Sequence, residues 1–382
     1  MIASHRVRTA LLLFAIAAAL AGCSSSKDKE AGKPAELVDF KQTLPVRTAW
    51  RVDVGGARGA PLQPAVLENA VYAAAGDGAL VRIQPASGKV DWRIDAGARI
   101  SAGVGSDGFV VAVGTPRGEV LAFGADGKPL WRAQASSDIQ SAPLVGRGLV
   151  IVRSTDHRVT AYEADSGKRR WSFARTPPPL TLRAPLEMAF AGDNVLLGLP
   201  GGRLVAVALS NGAARWEAVV AEPKGATEVE RLADVVGALA VDGRDACAAA
   251  FQGRVTCVDS GNGNLRWTRE LAAGAGVAFD AKQAYAVDAR AAVAAFNREG
   301  GAGVWRNTQL ANRQLSSPLA LPAAAVVGDF KGHVHFLNPG DGQFAARVAL
   351  DGSAIVATPR AWANGAVVQT QDGTVALLAV ER

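Results

Sequence analysis

Short apolar segments, separated by polar and glycine-rich turns, recur along the chain at intervals of 38 to 51 residues. Each segment starts with an apolar residue after a turn sequence, and a second apolar residue follows three positions later. The first positions of the eight copies are Leu80, Val120, Val159, Leu204, Val255, Val293, Val334 and Val375. Each repeat has room for four short strands joined by tight turns, so the pattern predicts four-stranded antiparallel units.

A glycine and a tryptophan follow most of these segments at fixed spacing. A turn glycine follows seven of them, and in six copies a tryptophan stands four residues beyond that glycine. These six are Trp92, Trp131, Trp171, Trp216, Trp267 and Trp305. In the seventh copy Ala346 occupies the tryptophan position. One large ring per repeat is typical of packing between neighbouring units, so we predict a structural role for the tryptophans.

The number of predicted strands indicates how the units close. Eight third strands are followed by only seven fourth strands, and a matching strand centred on Trp50, from Arg47 to Val54, stands near the other end of the chain. Units of this kind bury their faces when they stack into a ring. The sequence therefore predicts an all-β, eight-bladed β-propeller of four-stranded antiparallel blades over residues 46–382, closed by the N-terminal strand joining the last blade.

The first residues have the pattern of a secretory signal. A basic start precedes an apolar run of about 12 residues, too short for the roughly 20 that span a bilayer. Leu20-Ala21-Gly22-Cys23 resembles the bacterial lipobox, in which cleavage before the cysteine leads to its acylation. We predict a signal peptide over residues 1–22, followed by acylated Cys23 and a flexible tether over residues 23–45. The alternative is an ordinary signal peptide with a chance cysteine.

The residue after Cys23 indicates which membrane would hold the lipid anchor. Ser24 stands where an aspartate would favour retention in the inner membrane. Several acyl chains give stable attachment to a lipid surface. We therefore expect a lipid-anchored protein of the outer membrane that faces the periplasm.

Charge and candidate chemistry exclude several classes of function. The 382 residues include 41 lysines and arginines against 35 aspartates and glutamates, without a basic run typical of nucleic-acid binding. His333 and His335 alternate on one strand and are expected to be half-exposed, but two imidazoles are too few for a typical zinc site. The sequence has no Gly-x-Ser-x-Gly, phosphate-loop or Cys-x-x-Cys motif. No catalytic residue, metal or cofactor is therefore expected, and a binding scaffold is favoured.

The two remaining cysteines, Cys247 and Cys257, lie on the arms of one predicted hairpin about Gln252-Gly253. A three-residue turn would place them opposite each other and permit a disulfide in an oxidising compartment. A two-residue turn would place them on opposite faces and forbid it. The sequence leaves both alternatives open.

The two longest intervals contain insertions after the third and fourth tryptophan strands. The first runs from Phe173 to Glu187 and places a triple proline before Leu180-Thr181-Leu182-Arg183. The second runs from Val219 to Val236, and its acidic centre predicts a short helix. Because all blade-to-blade connections of a meander lie on one face, the insertions should be neighbours. They are candidate binding loops, unless the leucines fold back on the blade.

One repeat resembles a known enzyme motif. The segment from Ala161 to Trp171 is similar to the tryptophan-motif repeat of quinoprotein dehydrogenases, Ala-x-Asp-x-x-Thr-Gly-x-x-x-Trp. This resemblance raises the alternative of a quinone-dependent dehydrogenase. Such enzymes carry adjacent cysteines over the cofactor, and this sequence has none. We therefore predict that the protein is not an enzyme.

The insertions carry a second, more specific resemblance, to the BamB family of propeller lipoproteins in the outer-membrane β-barrel assembly machinery. The Leu180 to Arg183 segment resembles the family's Leu-Ser-Leu-Arg. The segment from Ala226 to Val236 resembles its Ser-Thr-Glu-Ile-Asp-Arg-Leu-Ser-Asp-Val-Asp. In the family these segments dock on the periplasmic POTRA domains of BamA.

This resemblance implies partner-binding roles for Leu180, Leu182, Arg183 and Asp234. Val236 stands where the family has a second aspartate, which removes one carboxylate from the expected contact. The implied function is a non-enzymatic scaffold that aids folding and insertion of β-barrel proteins, with unfolded outer-membrane proteins as further candidate partners. A propeller lipoprotein with another envelope partner is the remaining alternative.

Overall fold

The computed structural model describes residues 32–182 and 186–381, and the regular structure of this part of the chain is entirely β-strand. The strand near the N-terminus is β1 (Val46–Asp53). Blades one to four comprise β2 (Ala65–Val66), β3 (Val71–Ala74), β4 (Ala79–Ile83), β5 (Val90–Asp95), β6 (Ala102–Ser106), β7 (Val110–Gly114), β8 (Glu119–Gly124), β9 (Pro129–Gln134), β10 (Leu144–Gly146), β11 (Leu149–Arg153), β12 (Val159–Glu163), β13 (Arg169–Phe173), β14 (Met188–Ala191), β15 (Asn194–Leu199), β16 (Arg203–Ala208) and β17 (Ala214–Val219).

Blades five to eight continue the same order along the chain. They comprise β18 (Val235–Asp242), β19 (Asp245–Ala250), β20 (Arg254–Asp259), β21 (Leu265–Glu270), β22 (Ala273–Phe279), β23 (Gln283–Asp288), β24 (Val293–Asn297), β25 (Gly303–Asn307), β26 (Leu319–Leu321), β27 (Ala324–Gly328), β28 (His333–Leu337), β29 (Phe344–Ala349), β30 (Arg360–Trp362), β31 (Gly365–Gln369) and β32 (Thr374–Val380). No helix among the described residues is long and apolar enough to cross a membrane.

The strands form eight four-stranded antiparallel sheets, which confirms the predicted propeller. Seven sheets contain four consecutive strands, whereas the eighth has the order β1-β32-β31-β30. Val46 of β1 pairs with Val380 of β32, and Asp53 pairs with Thr374. The predicted closure by the N-terminal strand is therefore confirmed.

The hydrophobic core is divided into eight clusters, one between each pair of neighbouring blades. The cluster between blades one and two, for example, joins the buried Tyr72 and Leu80 to Val111 and Leu121. An isolated blade would expose the apolar residues on both of its faces to water. Closure of the ring removes that exposure, so the blades stabilise one another.

The tryptophans connect each blade to the next, which confirms their structural role. The indole N–H of Trp50 donates to the main-chain oxygen of Pro85 at 2.7 Å, and that of Trp92 donates to Ala125 at 3.0 Å. The equivalent bond is made by Trp131, Trp171, Trp216, Trp267 and Trp305. Each ring also packs against a turn glycine of the next blade. At Gly88, where φ is +73°, an added Cβ would lie 2.5 Å from the Cβ of Trp50.

The position of Ala346 explains the missing tryptophan. Ala346 lies in β29 of blade seven, which faces blade eight. In blade eight the third and fourth strands, β32 and β1, come from opposite ends of the sequence, so no glycine turn joins them. A tryptophan at position 346 would have no turn to pack against, and the fully buried alanine fits the seam.

Residues 33–44, which we call the N-terminal arm, lie against blades six and seven. The main-chain oxygen of Ala35 accepts a hydrogen bond from Arg313 at 2.9 Å, and that of Val38 accepts one from Arg347 at 3.0 Å. The ring of Phe40 lies 5.3 Å from that of Phe344. The prediction of a free tether up to residue 45 is therefore wrong for the arm, whereas the predicted signal peptide and Cys23 lie outside the described residues.

A buried polar cluster holds the arm in place and corrects the prediction for His335. This residue is fully buried rather than half-exposed. Its Nε2 lies 3.0 Å from Oδ2 of Asp329, and its Nδ1 accepts a hydrogen bond from Arg347 at 3.2 Å. Arg313 donates to the same Asp329 oxygen at 2.7 Å. The two arginines that bind the arm are thus oriented by a buried histidine and aspartate, and His333 beside them is the partly exposed member of the pair.

The hairpin between β19 and β20 has a three-residue turn, so the first of the two alternatives for the cysteines applies. Cys247 and Cys257 stand opposite each other in register, with their Cα atoms 4.1 Å apart, and form a disulfide. Both are buried in the cluster between blades five and six. The cross-link therefore fixes the hairpin inside the core.

Candidate functional site

The two insertions lie side by side on one face of the ring, as predicted. We call residues 174–187, between β13 and β14, the docking loop, and residues 220–234, between β17 and β18, the second loop. The main-chain N–H of Leu182 donates to Oδ2 of Asp234 at 2.7 Å. A direct hydrogen bond therefore joins the two loops.

The predicted partner-binding residues of the docking loop differ in accessibility. Leu180 is exposed, with 40% of its surface accessible, and follows the exposed prolines Pro177 to Pro179. Leu182 is half-buried and packs against the cluster between blades five and six. Leu180 is thus available to a partner, whereas Leu182 lies partly at the surface and partly against the core. Arg183 lies outside the described residues.

Asp234 is not a surface carboxylate. Only 5% of the residue is exposed, and its two oxygens accept hydrogen bonds from the main-chain N–H groups of Leu182 and Gly201 at 2.7 and 2.9 Å. Hydrogen bonds to a charged acceptor are stronger than neutral ones, especially where water is excluded. The geometry assigns Asp234 to holding the docking loop, and its effect on a partner would act through Leu182.

Behind the docking loop lies a polar group that the sequence did not indicate. Arg153 is buried and donates to the main-chain oxygen of Gly198 at 2.6 Å and to Nδ1 of His157 at 3.1 Å. Because Nδ1 accepts this bond, the neutral ring carries its proton on Nε2, which lies 3.3 Å from the Thr181 hydroxyl. Arg153 is the last residue of β11, and His157 lies in the tight turn between β11 and β12. No sequence pattern marks either residue as a partner of a distant loop.

Electrostatics support this arrangement. Burial lowers the pKa of Arg153 to about 10, and the charge of Asp234 opposes the shift. The pKa of His157 also lies below its usual value, because burial and the charge of Arg153 disfavour the protonated ring. A cavity of about 370 Å³ is lined by these three residues together with Thr181 and Leu182. The docking loop therefore rests on a polar support with an aspartate, an arginine and a neutral histidine.

The second loop contains a hydrogen-bonded turn rather than the predicted short helix. The carboxylate of Glu230 accepts bonds from the main-chain N–H groups of Ala226 and Thr227, and the N–H of Glu230 donates to the Thr227 hydroxyl. These are the contacts of a capping box, but the chain turns away before a second helical turn forms. The exposed Val229 stands within this turn.

Val236, at the position of the family's second aspartate, is a core residue in this chain. It lies in β18, is 3% exposed and packs in the same cluster as the disulfide. A carboxylate at this position would be buried among apolar side chains at high cost. Among the described residues, no group of three or more histidine, cysteine, aspartate or glutamate side chains is arranged to hold a metal ion.

The fold and the site together define a β-propeller that presents loops on a rigid face, a protein-binding scaffold. A family model described as "Outer membrane protein assembly factor BamB" matches residues 76–307. The BamB proteins of Bordetella pertussis and Burkholderia pseudomallei are 44% and 43% identical to this chain. The alignments cover 94% of this chain and of the first relative, and 93% of this chain and of the second. The chain therefore belongs to the BamB family.

Solved structures agree with this assignment. BamB from Moraxella catarrhalis superimposes with a TM-score of 0.81 and 26% identity, covering 88% of this chain and 100% of that one. Quinohemoprotein alcohol dehydrogenase from Comamonas testosteroni has a TM-score of 0.68 and 14% identity, over 88% of this chain and 76% of the enzyme. The second likeness shows the propeller fold alone. The relatives are named as assembly factors, which supports a scaffold rather than an enzyme.

Proposed function

We propose that this protein is a non-enzymatic scaffold lipoprotein of the outer-membrane protein assembly complex. It docks on the periplasmic POTRA domains of BamA and thereby aids folding and insertion of β-barrel proteins. The observation that carries the proposal is the exposed Leu180 on a loop whose main chain is held by the buried Asp234. Membership of the BamB family supports the same assignment.

The loop geometry suits a docking contact. Prolines 177–179 restrict the backbone on the N-terminal side of Leu180. The hydrogen bond of the Leu182 N–H restricts it two residues beyond Leu180. A loop ordered before binding loses less conformational entropy when the partner arrives. Leu180 would supply an apolar contact, and Arg183 would supply a charged one, as the family resemblance implies.

The proposed location follows from the N-terminal sequence. Cleavage after residue 22 and acylation of Cys23 would attach the propeller to the outer membrane, facing the periplasm. The disulfide between Cys247 and Cys257 supports an oxidising compartment, because such bonds are rare in the reducing cytosol.

Removal of the two leucines tests the docking assignment. We expect the Leu180→Ala, Leu182→Ala double variant to lose roughly 2 kcal/mol or more of binding free energy for purified POTRA domains, as at an interface hot spot. The measurement is a binding titration with the full-length lipoprotein in detergent. The variant and the unaltered protein are compared only if their melting temperatures agree.

Phe109→Ala is the matched control. Phe109 is 81% exposed in the turn between β6 and β7, and successive turns of a meander alternate faces, so it lies on the face opposite the loops. If the leucine variant binds as tightly as the Phe109 variant, the docking assignment fails. A pull-down from solubilised envelope that recovers a different protein through the same leucines would support another envelope partner.

A further inference from the structure

The last residue of the docking loop contacts the far side of the ring. The carboxylate of Glu187 accepts hydrogen bonds from the Thr358 hydroxyl at 2.5 Å and from Nη2 of Arg360 at 2.6 Å. The side chains of Arg360 and Glu187 are 33% and 19% exposed. The ion pair is therefore partly shielded from water, where such pairs are stronger than on an open surface.

The contact crosses the central channel. Glu187 directly precedes β14, the first strand of blade four, whereas Arg360 begins β30, the first strand of blade eight. In a ring of eight blades the fourth and the eighth stand opposite each other. The two residues are 173 positions apart in the sequence, so only ring closure brings them together.

The docking loop is consequently held at two separate places. Asp234 of the second loop binds the main chain at Leu182, and blade eight binds the side chain of Glu187. Between them Leu186 is buried, and the N–H of Glu187 donates to the main-chain oxygen of Gly237 at 3.1 Å. Both attachments lie on the C-terminal side of Leu180, so the segment that carries Leu180 projects from a support held at two points.

We propose that Thr358 and Arg360 are positioning residues for partner docking. They hold Glu187, and through it the docking loop, in the orientation that presents Leu180 and Leu182, and they do not themselves touch the partner. This inference rests on the proposed docking function. Loss of the cross-channel contact would leave the C-terminal end of the loop held only by buried Leu186 and by the main-chain bond to Gly237, and the extra mobility must then be removed when the partner binds.

The ion pair also links docking to closure of the propeller. Arg360 belongs to the blade that β1 completes, so opening the seam would disturb the contact with Glu187. The orientation of the docking loop therefore depends on strands from both ends of the chain.

The test uses the full-length lipoprotein with Arg360→Ala and with the isosteric Glu187→Gln, which retains hydrogen-bonding groups and removes the charge. The charge-reversed pair, Glu187→Arg with Arg360→Glu, tests for rescue. Arg244→Ala is the matched control, because Arg244 pairs with Asp259 in an exposed ion pair at the opposite face of the ring. Hydrogen exchange of the Leu182 amide and affinity for purified POTRA domains are measured for each variant.

We expect Arg360→Ala to speed exchange at Leu182 and to weaken POTRA binding about fivefold, typical of coupling between contacting groups. Glu187→Gln should have a smaller effect in the same direction. The reversed pair should recover at least part of both losses, and Arg244→Ala should match the unaltered protein.

Two outcomes would contradict the positioning role and the docking function separately. If Leu180→Ala with Leu182→Ala abolishes binding, but Arg360→Ala and Glu187→Gln change neither exchange nor affinity, the positioning role is wrong and the docking function stands. If Arg360→Ala speeds exchange while no loop variant changes POTRA binding, the proposed docking function fails. If Arg360→Ala does not fold, Glu187→Gln and the reversed pair decide between these outcomes.

Discussion

The clearest residue-level chemistry in the molecule is the protonation state of His335. Arginine side chains only donate hydrogen bonds, so Nδ1 of His335 must be unprotonated to accept from Arg347. Nε2 then carries the proton and donates to Asp329. Burial lowers the pKa of His335 to about 4, although the neighbouring Asp329 opposes this shift and the charge of Arg347 adds to it. The folded protein therefore requires a neutral imidazole.

This requirement predicts how stability depends on pH. An unfolded His335 would be protonated below its usual pKa of 6.5, whereas the folded residue stays neutral down to about pH 4. The contribution of His335 to the free energy of unfolding should therefore be constant above pH 6.5 and fall by about 3 kcal/mol as the pH drops from 6.5 towards 4. The measurement is urea denaturation across this range.

His335→Gln should flatten this dependence, because glutamine can donate to Asp329 and accept from Arg347 without titrating. The unaltered protein, denatured over the same pH range, gives the reference slope. Hydrogen bonds from His335, from the main-chain N–H of His333 and from Arg313 hold the pKa of Asp329 below its usual value despite burial, so its own contribution is lost only at more acidic pH. An unchanged slope in His335→Gln would show that this histidine does not control acid stability.

At the scale of the element, the recurring unit is a tryptophan of one blade packed on a glycine turn of the next. The turn glycine adopts a positive φ, and the ring leaves no room for a side chain at that position. Two separate constraints thus act on one residue. Their contributions can be distinguished, because some turn glycines elsewhere have the same φ and open space around them.

Gly88 and Gly148 form a matched pair for this purpose. Both have a φ of +73°, but a Cβ at Gly88 would overlap Trp50, whereas one at Gly148 would meet nothing within 4 Å. We expect Gly148→Ala to cost about 1 kcal/mol of stability from backbone strain. Gly88→Ala should cost about 1–3 kcal/mol more because the turn is overpacked. Equal losses in chemical denaturation would mean that the tryptophan can move aside freely.

At the scale of the whole molecule, a ring without a covalent closure depends on the pairing of β1 with β32. That pairing covers Val46 to Asp53 and buries Trp50 against blade one. The N-terminal arm adds contacts along blades six and seven through Leu37 and Phe40. The strand completes a sheet, whereas the arm packs against blades six and seven and completes none.

This difference predicts an order of stability for N-terminal truncations. A chain starting at residue 45 should melt slightly below one starting at residue 33, because it lacks the arm. A chain starting at residue 55 should melt much lower, because it loses a whole strand and leaves the edge of β32 unpaired. Melting temperatures from calorimetry test this order. Equal decreases at the two steps would contradict the role of β1 in closure.

The sequence by itself determined the blades, their number, the closing strand and the two insertions. Each of these depends on local signals: apolar alternation, glycine turns and regularly spaced tryptophans, which act between residues close in the chain. The same signals assigned the tryptophans to packing, and the two long intervals located the docking loop.

The tertiary structure decided which distant polar groups meet. Asp234 has the appearance of a surface acid in sequence, but Leu182 of the docking loop occupies one of its oxygens and Gly201, in the turn between β15 and β16, occupies the other. The burial of His335 and the attachment of the arm likewise follow from blades six and seven coming together. Glu187 and Arg360 show no mutual signal in the sequence, because their contact exists only after eight blades have closed a ring. Hydrogen bonds and ion pairs act over a few ångströms in space, and their partners are selected by ring geometry rather than by spacing along the chain.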